Sequence, residues 1–226
     1  MTRREAGAVM QPIHAVCFEP VGCLAEFAAD EFNEIAARVF NLTDAPCPAG
    51  SEAYWRVLEL MQQSGSALTP PQQKLVEDLE VRAAEKASMY DDVVPALAEL
   101  KEMNLTLLIA SSLSGAAVNR FLERFSLNGF FSAVWTRDNA QGVKAVPLAK
   151  AMETAGLQPA HVMSLADTID GLTAAKAARA NAILMFNDYE EGKRLAMHGP
   201  TGAIVSLHEL PAAIRFVAEG AKVPRP

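Results

Sequence analysis

Apolar and polar positions along the chain fall into two textures. From Leu24 to Phe40 the apolar residues Leu24, Phe27, Ala28, Phe32, Ile35, Ala36, Val39 and Phe40 recur at spacings of three and four, which predicts an amphipathic helix. After the breaker formed by Pro46, Pro48 and Gly50, Ser51 is placed to cap a second helix carrying Tyr54, Trp55, Leu58 and Met61. Thr69-Pro70-Pro71-Gln72 joins a cap, prolines in the first turn and a glutamine three residues on, opening a third helix through Leu75, Leu79 and Ala83. Three helices in succession, with no strand between them, make residues 25–89 an all-helical insert.

Beyond Tyr90 helices alternate with short apolar runs, the pattern of a parallel sheet with helices on both faces. Helices are expected at Val93–Met103, Ala116–Phe125 and Leu172–Ala180, and strands at Leu105–Ala110, Phe131–Trp135, Val162–Leu165, Ala182–Phe186 and Ala203–Val205. An earlier strand, Ile13–Phe18, runs into a sharp turn at Glu19-Pro20-Val21-Gly22 and joins the same sheet. The fold class is therefore α/β: a core of residues 13–24 and 90–226, the insert 25–89 after the first strand, and a loose tail 1–12.

In open sheets of this kind ligands bind beyond the carboxyl ends of the strands, which makes Glu19 and Gly22 candidate site residues. Ser111 and Ser112 end another strand, where a hydroxyl can donate to a phosphate oxygen beside the N–H groups of the turn. The competing reading is that Ser111, Ser112 or Ser114 only caps the next helix. Asp91-Asp92 reads as the solvated start of a helix. His14, His161, His198 and His208 show no spacing that suggests a triad or a metal cluster.

A length of 226 residues suits one domain with an insert or two unequal domains. The net charge of -7 argues against nucleic acid and anionic membrane as partners, because the long-range field repels both. A small anionic substrate answers to local groups and is unaffected by that argument. Cys17, Cys23 and Cys47 form neither a CxxC pair nor a ligand cluster, as expected for a reducing compartment. With no evident signal peptide and no apolar run near membrane-spanning length, the expected location is the cytoplasm.

Phe18-Glu19-Pro20-Val21-Gly22-Cys23-Leu24 resembles motif I of the haloacid dehalogenase (HAD) superfamily, which reads Phe-Asp-x-Asp-Gly-Thr-Leu. In that family the first Asp is the nucleophile and the second the general acid/base; here they are Glu19 and Val21. Leu107 to Ser112 resembles motif II, with Ser111 at the phosphate-binding position. Gly142-Val143-Lys144-Ala145-Val146-Pro147 resembles motif III, with Lys144 as the charge-balancing lysine. Val162 to Gly171 resembles motif IV, whose acids hold Mg²⁺; Asp167 is the match and Asp170 stands one residue before the place of the later acid. The likeness runs from about Ile13 to Val205, is nearest the phosphoglycolate phosphatase and β-phosphoglucomutase branch, and implies a Rossmann-like core under a small helical cap. Arg179 stands where the family often ends a helix with glycine. A non-glycine in the left-handed conformation costs roughly 1 kcal/mol, so that end is expected to be built differently.

The resemblance thus implies a phosphate site of Ser111, Ser112, Lys144 and Gly22 and a Mg²⁺ site of Glu19, Asp167 and Asp170, with Mg²⁺ as the cofactor. Glutamate for aspartate displaces the attacking oxygen, and a misplacement near 1 Å costs on the order of 10²-fold. Loss of the acid/base at Val21 costs about 10² to 10⁴-fold more. The expectation is a pseudophosphatase that binds a small phosphorylated or anionic ligand, or a protein partner, without turnover. The alternative is a Mg²⁺-dependent hydrolase of phosphoric monoesters acting through Glu19, and a third reading is a structural protein with a vestigial crevice.

Overall fold

A computed structural model describes residues 12–64 and 68–218; the expected tail, apart from Pro12, lies outside the described residues. The chain runs through strand β1 (Ala15–Phe18), a helical turn α1 (Pro20–Cys23), β2 (Ala25–Glu26), α2 (Ala29–Phe40), α3 (Gly50–Gln63), α4 (Pro70–Lys86) and β3 (Ser88–Met89). It continues through α5 (Val93–Glu102), β4 (Thr106–Ala110), α6 (Gly115–Arg124), β5 (Ala133–Trp135), α7 (Arg137–Ala140), α8 (Ala145–Thr154) and β6 (Val162–Ala166). The last elements are α9 (Ile169–Ala177), β7 (Asn181–Met185), α10 (Tyr189–Ala196), β8 (Gly202–Ile204) and α11 (Leu210–Ala218).

Six strands form one parallel sheet in the order β5-β4-β1-β6-β7-β8. The chain steps outward from β1 through β4 to β5, then returns to the other side for β6, so the sheet reverses direction at β1. The carboxyl ends of β1, β4 and β6 are neighbours there, and that is where such sheets place ligands. Alternate residues of β1 face opposite layers: Val16 and Phe18 join a core with residues of α5, α6 and α11, while Ala15 and Cys17 join one with residues of α8, α9 and α10. Burial on both faces explains why the strands read as continuous apolar runs.

Helices α2, α3 and α4 form the cap, and their apolar stripes, Phe32, Ile35, Tyr54, Leu58 and Leu79 among them, are continuous with the first of these cores. The capping box expected at Thr69 and Gln72 opens α4. Two expectations are corrected. The helix predicted from Leu24 begins only at Ala29, because Ala25–Glu26 pairs antiparallel with Ser88–Met89 in a two-stranded ribbon at the base of the cap. Leu24 and Phe27 are buried there, so their spacing signalled burial without a helix. Ser51 does not cap α3; that helix starts at Gly50, where an added Cβ would lie 1.7 Å from the Phe27 carbonyl oxygen, and Ser51 sits inside its first turn.

Arg179 adopts φ +61° after α9, so the left-handed helix end is retained with arginine in the glycine position, contrary to expectation. Among the described residues no helix is long and apolar enough to cross a membrane.

Candidate functional site

Glu19 follows directly on β1, Ser111 and Ser112 on β4, and Asp167 on β6, so the sheet topology gathers these candidates at one edge. The Glu19 carboxylate is held by Ser111, Tyr54 and Ser112, with the backbone of Val21 as a further donor. Its Oε1 accepts from the Ser111 hydroxyl at 2.5 Å, and its Oε2 from the Tyr54 phenol at 2.7 Å and the Ser112 N–H at 3.2 Å. The Leu113 N–H donates to Ser111 Oγ at 3.1 Å, which leaves that hydroxyl free to turn its proton toward Glu19. Val21 is fully buried in the apolar core and Gly22 takes φ +77° to turn the chain.

Lys144 reaches the site from the start of α8. Its N–H donates to Ser112 Oγ at 2.7 Å, and its ammonium is paired with Glu59 of α3. At φ +62° and ψ -113° this lysine sits in a sparsely populated backbone region, a strain of order 1–3 kcal/mol that aims the side chain at the cap. Asp167 Oδ2 accepts from the Ser51 hydroxyl at 2.5 Å, again from α3. Deeper at the same boundary, Arg137 grips Glu80 of α4 through two bonds of 2.7 and 3.0 Å, donates to the Ser112 carbonyl at 3.1 Å, and Glu80 accepts from Ser114 N–H at 2.9 Å.

Glu19, Lys144 and Asp167 therefore each have a partner on α3 of the cap. Ser51, Tyr54, Glu59, Glu80 and Arg137 are the site residues that sequence reasoning missed. Tyr54 was visible only as one member of an apolar stripe, and Ser51 only as a cap. Ser114, not Ser111, caps α6, accepting from Ala117 N–H. Asp92 is not merely a solvated helix start: its carboxylate accepts from Ser206 Oγ at 2.6 Å and Leu207 N–H at 2.7 Å.

Burial pushes the Glu19 carboxyl up from 4.5 to about 7, against the pull of its bonds to Ser111, Tyr54, Ser112 and Val21. Burial likewise raises Asp167 from 3.8 to about 6. The Tyr54 phenol is raised well above its ordinary value, by burial first and then by the Glu19 charge, so it remains a neutral donor. Burial drives the Cys17 thiol to about 12, and burial with the charges of Asp167 and Glu19 raises Cys23, so neither supplies a thiolate.

The Mg²⁺ site implied by the resemblance does not fit this arrangement. Both Glu19 oxygens are engaged by donors, Asp167 Oδ2 is engaged by Ser51, and Asp170 is exposed on the first turn of α9. Among the described residues no three His, Cys, Asp or Glu side chains converge to hold a metal ion. Beside the site, between cap and core, lies a crevice of about 540 Å³ bordered by Asp167, Gly22, Ser51, Glu52, Tyr90 and Phe186.

Residues 53–185, more than half of the chain, match the family of haloacid dehalogenase-like hydrolases. A 103-residue stretch, 43% of this chain, is 36% identical to enolase-phosphatase E1 of Persephonella marina and spans 44% of that protein, so the chain matches under half the length of this curated relative. A predicted phosphatase from Clostridium acetobutylicum superposes with a TM-score of 0.67 at 20% identity, covering 90% of this chain and 99% of that one. A predicted phosphoglycolate phosphatase from Haemophilus somnus superposes with a TM-score of 0.63 at 16% identity over 90% and 99%. At such identities the superpositions establish the fold, and together with the family match they lead to one conclusion: the chain belongs to the haloacid dehalogenase-like hydrolase family.

Proposed function

We propose that this protein is a pseudophosphatase: it keeps the HAD fold, has given up phosphoryl transfer, and binds a small phosphorylated or other anionic ligand between cap and core. The observation that carries this reading is the state of the Glu19 carboxylate, whose two oxygens are engaged by Ser111, Ser112 and Tyr54. Val21 brings no proton-transferring group, and burial keeps the nearby Cys17 and Cys23 thiols protonated. Ser111, Ser112 and Lys144 remain at the strand ends as donors for an anion, once Glu19 and Glu59 release them. The three free cysteines support a cytoplasmic setting, and the net charge of -7 supports partners other than nucleic acid.

The likeness to an enolase-phosphatase over part of the chain favours a second reading, a hydrolase of small phosphorylated metabolites working through Glu19 with Mg²⁺. Hydrolysis of an aryl phosphate in the presence of Mg²⁺ decides between them. The pseudophosphatase reading expects a silent natural protein, and activity in a Glu19→Asp/Val21→Asp variant would add that the remaining site is serviceable. Turnover by the natural protein that is lost in Glu19→Gln would establish the second reading instead.

A further inference from the structure

Glu19 is held as an outside ligand would be held. Its carboxylate meets the Ser111 hydroxyl and the Ser112 N–H of the core, the Tyr54 phenol of the cap and, from its own turn, the backbone of Val21. Ser111, Ser112 and Tyr54 are all at most 2% exposed, so water does not compete for these donors. Both oxygens take donors, an arrangement suited to a planar carboxylate. The phenol reaches this place only while α3 lies against the sheet. The same helix sends Ser51 to Asp167 and Glu59 to Lys144.

We propose that Glu19 is an internal ligand: its carboxylate fills a cradle of Ser111, Ser112 and Tyr54, latches the cap to the core, and must be withdrawn before a free carboxylate can take its place. The proposal rests on the reading above only in that Glu19 is not a nucleophile. In the latched state the cradle bridges both parts of the fold. With Glu19 truncated, the three buried donors face an empty space of carboxylate shape, and the cap loses one of its ties.

The test uses the full-length chain with Glu19→Ala and measures amide exchange over residues 51–59 and melting temperature, titrating sodium acetate against sodium chloride at equal ionic strength. Exchange on α3 is expected to quicken in the variant and to slow again with acetate. The melting temperature is expected to rise by roughly 3 °C at tenfold saturation. Neither the natural protein nor Glu19→Ala/Ser111→Ala should respond. A folded Glu19→Ala protein with natural exchange on α3, or one that answers acetate no differently from chloride, overturns the proposal. A response to inorganic phosphate without one to acetate overturns the carboxylate assignment. If Glu19→Ala does not fold, Tyr54→Phe serves: unchanged exchange on α3 in that variant overturns the latch. Aryl phosphate turnover by the natural protein would defeat the proposed function while leaving the acetate result to be read on its own.

Discussion

The Tyr54 phenol donates to Glu19 Oε2 at 2.7 Å and at the same time accepts from the Ser112 N–H at 3.0 Å, so one buried hydroxyl of the cap completes two polar groups of the core. Removing it as Tyr54→Phe changes almost no volume and leaves those groups short of a partner. A loss of about 1–3 kcal/mol is expected, read as a lower denaturation midpoint at constant slope. An unchanged midpoint would mean that the hydroxyl contributes nothing to closure.

Stability should depend on pH in the direction set by burial. The folded-state values of Glu19 and Asp167, about 7 and about 6, lie above their ordinary 4.5 and 3.8. Their contribution is therefore fully present below those ordinary values and is lost as pH rises through about 6 and then 7. For Glu19 the effect is at most about 3–4 kcal/mol, reduced by its partial exposure. Melting curves from pH 4.5 to 8 should fall more steeply for the natural protein than for Glu19→Gln.

Arg137 and Glu80 form the most enclosed ion pair at the cap boundary, with side chains 20% and 1% exposed. Arg137→Ala strands the Glu80 charge among buried groups and should cost about 3–5 kcal/mol. Replacing both partners with leucine should recover much of that loss, as a double-mutant cycle by chemical denaturation would measure.

Gly22 combines φ +77° with a close approach: a Cβ there would lie 1.8 Å from Asp167 Oδ2 and 2.5 Å from Ser51 Oγ. Gly22→Ala should displace both groups and release the Ser51–Asp167 bond. The expected result is a clear fall in melting temperature and faster amide exchange at the start of α3.

Arg179 carries left-handed strain that glycine would not. Arg179→Gly should stabilise the fold by up to about 1 kcal/mol, offset in part by the added freedom of the unfolded chain. Equilibrium denaturation distinguishes this gain from no change.

The sheet was legible because strands buried on both faces leave continuous apolar runs, and the resulting strand ends shifted by only a residue or two from Leu105–Ala110 to Thr106–Ala110 and from Phe131–Trp135 to Ala133–Trp135. Thr69 and Gln72 were legible because a capping box is local chemistry. Contacts between cap and core were not. Whether Tyr54 turns its hydroxyl toward Glu19, or Glu80 finds Arg137, depends on how α3 and α4 lie across the sheet, and no periodicity within either helix encodes that placement. The placement of Asp170 was illegible for a related reason: position along a motif fixed its distance from Asp167 in sequence but not its exposed place on the first turn of α9.

The engagement of Lys144 with Glu59, Asp167 with Ser51 and Glu19 with Tyr54 routes three polar groups of the core through one helix, α3. Shortening Glu19 to aspartate would draw the carboxylate away from its Ser111, Ser112 and Tyr54 donors and loosen the seat of α3. A change at any one of these core groups is therefore also a change in how α3 is seated.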